Sequence, residues 1–298
     1  MKSQEREVRQ DAEDVQRATN EKMDIEELKS KSQWLRQELF ELVMRVKKGH
    51  IPSSYSCAEM VLALMYGGYF HGYPNDPRHS DRDRLIISKG HAAMVLYPIL
   101  ADLGYFTTNE LEKFTKPDGL LRMYADHSIP GIESITGSLG HGLGIGCGYA
   151  YAAKQDHKSY RTFVVVGDGE CYEGSVWESA MFAAHHQLTN LVVIVDRNRL
   201  CIMEETERCM KLDSLEAKWE AFGWEAMSID GHAYREILPA LTQATSNHSG
   251  KPFAIISNSV KGKGISFMEN QALWHNRMPN DDEMEQARNE LLSNCIVN

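Results

Sequence analysis

No stretch of these 298 residues is apolar for long enough to span a bilayer, and the amino terminus is densely charged instead of signal-like. The expectation is a soluble, cytoplasmic chain. Basic clusters are missing too: 32 Lys and Arg stand against 42 Asp and Glu, for a net charge of −10. That balance argues against nucleic acid and against an anionic membrane surface as partners. The six cysteines, Cys57, Cys147, Cys171, Cys201, Cys209 and Cys295, form no Cys-x-x-Cys pair and no zinc spacing. They read as reduced, mostly structural thiols. No internal repeat and no proline- or serine-rich linker divides the chain.

What is present falls into three parts. Residues 1–30 form a charged arm with sparse apolar positions, read as a solvated extension in preference to a docking helix. A core follows over 31–278, and 279–298 form a helical tail in which Asn280, Asp281 and Asp282 can cap the helix. Within the core, Leu35, Leu39, Leu42, Val43 and Val46 recur at helical spacing, so Trp34 to Val46 is the first core helix. Gly49 and Pro52 end it and place His50 on a loop.

The chemistry gathers at the ends of two apolar runs. Phe163 to Val166 leads into Gly167-Asp-Gly-Glu170, a helix is expected from about Gly174 to Gln187, and Leu191 to Val195 then ends at Asp196-Arg-Asn198. Such a β-α-β unit is right-handed with parallel strands, which brings Asp168 and Asn198 to the same carboxyl edge of a sheet. A carboxylate, an amide oxygen and a backbone carbonyl near Leu200 suit magnesium, which takes oxygen ligands and leaves positions for phosphates and water. Gly-Asp-Gly alone is more often a tight turn. Its pairing with Asn198, thirty residues on, favours a magnesium-diphosphate site. The glycines from Gly140 to Gly148 imitate a dinucleotide fingerprint, but no strand precedes them, so they read as a helix that allows close approach. Glu173 and Glu178 are by themselves ordinary helix-start carboxylates.

The segments Gly167-Asp-Gly-Glu-Cys-Tyr-Glu-Gly174 and Asn190-Leu-Val-Val-Ile-Val-Asp-Arg-Asn198 resemble the thiamine-diphosphate motif of transketolases. Ser88-Lys-Gly-His91, Ile135-Thr-Gly-Ser-Leu-Gly-His-Gly142, Phe222-Gly-Trp224, Val260-Lys-Gly-Lys-Gly264 and Trp274-His275 fall in the same family's order, from about residue 34 to 278. The resemblance implies an α/β fold, a parallel β-sheet flanked by helices on both faces that binds the cofactor's diphosphate. It implies thiamine diphosphate and Mg2+ as cofactors, with Asp168, Asn198 and the Leu200 carbonyl on the metal. His91, Gly137, Leu139, Gly167, Asp168, Gly169, Glu170, Asn198 and His275 would line the cofactor. His50, His91 and His275 would handle proton transfers, and Glu173 and Glu178 would lie at a subunit interface.

The length covers only the family's amino-terminal domain. The pyrimidine-binding domain, with the glutamate that activates the cofactor, has no counterpart here, so the resemblance implies a heterotetramer formed with a carboxy-terminal partner subunit. The implied activity is transfer of a two-carbon ketol unit from a phosphoketose to an aldehyde. Split transketolases acting on apulose 4-phosphate are one home for such a chain. An alternative is a ketol or glycolyl transferase of specialised metabolism with a carrier-bound acceptor; the third reading is a non-catalytic, cofactor-binding regulatory subunit. Three departures bear on substrate choice. The family's donor-contacting Gly-His-Pro is replaced near Met123 and Tyr124, with His127 several residues late. Ile51-Pro-Ser-Ser-Tyr55 replaces a glycine-rich loop, and His141 stands where glutamine is common.

Overall fold

The computed structural model describes residues 22–202, 204–246 and 249–293. Positions 1–21 of the charged arm, His248 and Cys295 lie outside the described residues. Helix α1 (Ile25–Val46) opens with a capping box in which the Glu27 amide donates to Asp24 and the Asp24 amide donates to Glu27, at 3.0 and 2.7 Å. Leu28, Leu35, Leu39, Leu42 and Val43 form its buried stripe. The arm boundary expected at residue 30 therefore falls inside α1, because a cap at Asp24 and an inward Leu28 add two turns. Pro52 does not terminate this helix either. It starts α2 (Ile51–Tyr55), so the segment after His50 is a short helix and not a loop.

After α3 (Ala58–Tyr66) come β1 (Arg84–Ile87), a 3-10 turn over Gly90–Val95, α4 (Leu96–Asp102), α5 (Asn109–Glu112) and α6 (Gly142–Gln155). His91 thus sits in a 3-10 turn. The expected β-α-β unit follows as β2 (Thr162–Gly167), a 3-10 turn over Gly169–Tyr172, α7 (Gly174–His185) and β3 (Leu191–Arg197). The chain continues through a small hairpin of β4 (Leu200–Cys201) and β5 (Glu204–Glu205), then α8 (Thr206–Cys209) and α9 (Leu215–Ala221). It ends with β6 (Glu225–Asp230), α10 (Tyr234–Thr245), β7 (Phe253–Asn258), a 3-10 turn over Ala272–His275 and α11 (Asp281–Ser293).

Five strands form one parallel sheet in the order β1-β2-β3-β7-β6. Alternation along each strand feeds two cores. Phe163 and Val165 face α1, α3, α4 and α10, whereas Val164 and Val166 face α6, α7 and α9. Both faces are covered, which is why these strands read as continuous apolar runs. Helix α6 lies close to the sheet: a Cβ on Gly146 would come within 2.5 Å of Val164 Cγ2, and one on Gly142 within 2.4 Å of Ser88 Oγ. The glycines do permit the close approach that the sequence suggests. The tail is no separate unit. Ala287 and Leu291 of α11 are buried, and Gln33 and Gln37 of α1 donate to the Leu291 carbonyl at 3.1 and 2.9 Å. Among the described residues no helix is long and apolar enough to cross a membrane.

Candidate active site

Parallel strands deliver their carboxyl ends to one edge, and here that edge is charged. β1 leads to Ser88, Lys89 and His91; β2 to Asp168 and Glu170; β3 to Asp196, Arg197 and Asn198; β7 to Ser259 and Lys261. Of these, Lys89, His91, Asp168, Glu170, Asn198 and Lys261 line a cavity of about 590 Å³, together with Leu139 and Leu200. That size and position are those of a small-molecule or cofactor site.

Asp168 is buried, and its carboxylate accepts from the Gly169 and Arg199 amides at 2.8 and 2.6 Å. Arg197 stands 3.3 Å away, sharing its guanidinium with Glu207 and Asp213. Burial and the neighbouring Asp196 carboxylate push the Asp168 carboxyl up to about 6, against the pull of Arg197 and the two amides. Asn198 donates from Nδ2 to Asp196 at 3.0 Å, and its Oδ1 accepts from the Leu200 amide at 3.1 Å. The donors facing the cavity here, a carboxylate, an amide oxygen and the Leu200 carbonyl, are all oxygen, a set suited to a hard divalent cation.

His50, His91 and His275 form a triangle of rings with centroids 5.4, 5.3 and 5.4 Å apart. Three elements distant in sequence supply them. Burial is the first cause that holds His50 and His275 below the usual imidazole value, His275 at about 4, with the Lys261 ammonium adding to both. Burial and then the Lys89 ammonium hold His91 well below it. All three are therefore neutral near pH 7 and able to accept a proton. His50 Nδ1 is buried without a hydrogen-bond partner. Lys261 Nζ lies 3.1 Å from His275 Nδ1 and 3.5 Å from the Leu200 carbonyl. Burial, with Lys89 nearby, lowers its amine to about 8.

Other expected site residues are placed differently. Glu170 touches the cavity but spends its carboxylate inward, accepting from Ser88 Oγ and from the Gly140 and Gly167 amides, the latter two at 2.8 and 3.0 Å. It ties the β2 turn to the start of α6. Gly167 and Gly169 line the cavity, whereas Gly137 is exposed outside it. Glu173 and Glu178 are both exposed on this chain, Glu173 at the cavity rim where it precedes α7. Met123, Tyr124 and His127 are absent from the lining.

Sequence reasoning missed the ion pair beneath the cavity. Lys89 and Asp196 are buried together, and Asp196 also accepts from Ser56 at 2.6 Å and from Ser259 at 2.5 Å. Lys89 stands inside the Ser88-Lys-Gly-His91 segment and Asp196 two residues before Asn198. Charge at successive strand ends was the available signal.

These features define a cofactor-binding α/β domain with its site at the carboxyl edge of a parallel sheet. A family model described as "Transketolase, thiamine diphosphate binding domain" matches residues 28–295. The chain is 38% identical to an apulose-4-phosphate transketolase subunit of Phocaeicola vulgatus, over 90% of this chain and 95% of that one. It is also 38% identical to 6-deoxy-6-sulfo-D-fructose transketolase subunit SqwG of a Clostridium species, over 89% and 96%. The crystal structure of transketolase from Campylobacter jejuni superposes with a TM-score of 0.85 at 28% identity, covering 92% of this chain and 44% of that one. The chain belongs to the transketolase family as its thiamine-diphosphate-binding, amino-terminal part, and is one of the subunits of a transketolase-type transferase.

Proposed function

We propose that this chain is the thiamine-diphosphate-binding half of a two-subunit transketolase that moves a two-carbon ketol unit from a phosphorylated ketose to an aldehyde. The observation that carries the reading is the juxtaposition, at one cavity, of an all-oxygen donor set with His91 and His275, while His50 packs against both of their rings from outside the lining. Asp168, Asn198 and the Leu200 carbonyl would hold Mg2+, and with it the cofactor's diphosphate. His91, Leu139, Gly167, Gly169 and His275 would line the cofactor, while Glu170 and Gly137 shape the turns around it. When bound, thiamine diphosphate supplies the electron sink that lets a bond beside a carbonyl break and re-form. The chain's own part is to exclude water and to handle protons. His50, His91 and His275 can each accept a proton from a sugar hydroxyl and return it, and Lys261 adds a fixed cation.

The relatives' names call them subunits, and this chain matches 95% and 96% of their length while covering 44% of the Campylobacter enzyme. A partner carrying the pyrimidine-binding domain and its glutamate, in a heterotetramer, fits that difference. The proposed contact face includes α7, where Met181 and Phe182 are 54% and 41% exposed beside Glu178, with Glu173 at its start. Phosphorylated sugars are retained in the cytoplasm by their charge, and that is the proposed setting.

The test is purification with magnesium and thiamine diphosphate, followed by ketol transfer assays on the complex. A co-purifying second chain and transfer from phosphoketoses support the reading; a homo-oligomer that turns over no ketose overturns it in favour of a regulatory subunit. The second reading, transfer to a carrier-bound acceptor, is favoured by one observation, that Met123, Tyr124 and His127 do not line the cavity. Robust turnover of ordinary pentose phosphates would remove it.

A further inference from the structure

Lys261 lines the cavity, yet among the described residues no carboxylate comes within ion-pair distance of it. With no direct ion pair, the ammonium is placed by its contacts with His275 Nδ1 and the Leu200 carbonyl and by the backbone that carries it. That backbone is gripped from behind. Arg36 on α1 and Glu59 on α3 are both fully buried and form an ion pair at 2.7 Å. The other Glu59 oxygen lies 2.9 Å from His232 Nδ1, and the Val260 amide donates to His232 Nε2 at 2.8 Å. An amide N–H only donates, so Nε2 carries the lone pair and Nδ1 carries the proton that it gives to Glu59. The tautomer follows from the partners on either side.

Arg36 also reaches the far end of the same turn, donating from Nε to the Lys263 carbonyl at 2.9 Å. Ser259, on the near side, donates to Asp196. Lys261 therefore sits between Val260, held by His232, and Lys263, held by Arg36, with Ser259 tied to the sheet edge just before them. Two further backbone bonds, Gly262 to Pro52 and Asn270 to Lys261, brace the distal half at 3.1 and 2.9 Å. The Val260 amide has His232 as its acceptor. His232 itself is largely buried and is not part of the cavity lining.

We propose that His232 is a positioning residue, a ring of one tautomer that carries the position of the buried Arg36–Glu59 pair to the Val260 amide and so sets the Lys261 ammonium at the cofactor pocket. The inference rests on the reading of that cavity as the thiamine-diphosphate site. Groups that act through a supporting hydrogen bond of this kind are worth on the order of 10- to 100-fold in affinity or activity. The other braces on the turn put the expected effect at the lower end.

Two variants separate positioning from mere stability. In His232→Asn the amide stays near the Nδ1 position and Glu59, but the acceptor for Val260 is lost. In His232→Gln the longer side chain can return an acceptor to that amide. The full chain, in the oligomer in which it is purified, is titrated with thiamine diphosphate in the presence of Mg2+. Hydrogen exchange is followed in residues 258–264 and, as a reference, in β2 and β3. His232→Asn should weaken cofactor binding roughly 10-fold and speed exchange in 258–264 while β2 and β3 keep their protection, and His232→Gln should restore most of both. Wild-type binding that His232→Asn leaves unaltered, or loss of protection spread equally over β2 and β3, overturns the inference alone. Failure of the wild type to bind thiamine diphosphate overturns the cofactor reading and the inference with it.

Discussion

Asp168 at the end of β2 and Asp196 at the end of β3 are each 1% exposed, and the Asp168 amide donates to the Asp196 carbonyl at 3.2 Å. Their carboxylates nevertheless meet different surroundings. Asp196 takes Lys89, Ser56, Ser259 and Asn198 as donors, and the Lys89 ammonium leads the forces that hold its carboxyl below the usual range despite burial. Asp168 has two backbone amides and a share of one arginine, and its carboxyl rises to about 6. One aspartate is already neutralised within the fold. The other has a charge only partly compensated, and it faces the cavity. A buried carboxylate in that position is stabilised by an incoming cation. Burial alone therefore does not separate structure from function at this edge; the completeness of the counter-charge does.

Breaking the satisfied pair should have the largest effect. Asp196→Ala leaves the Lys89 ammonium buried and unpaired, and about 3–5 kcal/mol of stability should be lost, read as a lower unfolding midpoint in denaturant. Asp168→Asn should behave in the opposite way. It removes a carboxyl that burial already penalises, so the cofactor-free chain should unfold no earlier than wild type. Thiamine diphosphate binding with Mg2+, measured by calorimetric titration, should fall by roughly 100-fold or more, because a proposed metal ligand is lost and even the partners that merely support ligands are worth up to about that much. Equal destabilisation by the two substitutions would break the contrast.

The pH dependence sharpens it further. With its folded value raised to about 6, Asp168 binds a proton more readily in the folded chain than in the unfolded one. Between about pH 6 and the ordinary carboxylate value, it therefore favours the cofactor-free fold increasingly as the pH falls. Asp196 and Glu59, the latter held at about 2 mainly by Arg36 against its burial, act in reverse: their contribution is lost as the pH falls through their depressed folded values. Subtracting the Asp168→Asn stability curve from that of wild type isolates the first effect. The difference should move in favour of wild type from pH 7 to pH 4, and a flat difference would contradict it. The same linkage acts with the opposite sign at His275, whose folded value of about 4 lies below the ordinary 6.5. The unfolded chain takes up its proton first, so stability is lost as the pH falls from 6.5 to about 4. His275→Gln should make that decline shallower in a series of thermal melts.

Much of this edge was legible along the chain because its pieces are local. The run from Thr162 to Asn198 carries strand, turn, helix and strand in a spacing that admits one handedness, which places Asp168 and Asn198 together. The histidines were legible only through the order of family motifs, since nothing local relates His50, His91 and His275. The first helix was longer than its apolar core suggested because the Asp24 cap lies among charged residues that resemble a solvated arm. Pro52 was misread for a related reason: proline that stops one helix can also start the next.

By itself the sequence determined the elements that depend on near neighbours: the apolar runs that become doubly covered strands, the glycines that let α6 lie against β2, and the oxygen donors at two strand ends. Tertiary structure decided the rest. The order β1-β2-β3-β7-β6 brings Ser259 and Lys261 beside Asp196, and the packing of α1 and α3 places Arg36 and Glu59 behind His232. Charge pairing in a protein interior depends on distances of a few ångströms between segments as far apart in the chain as Glu59 and His232. Those distances are set by how the sheet is assembled and covered, which no local pattern encodes.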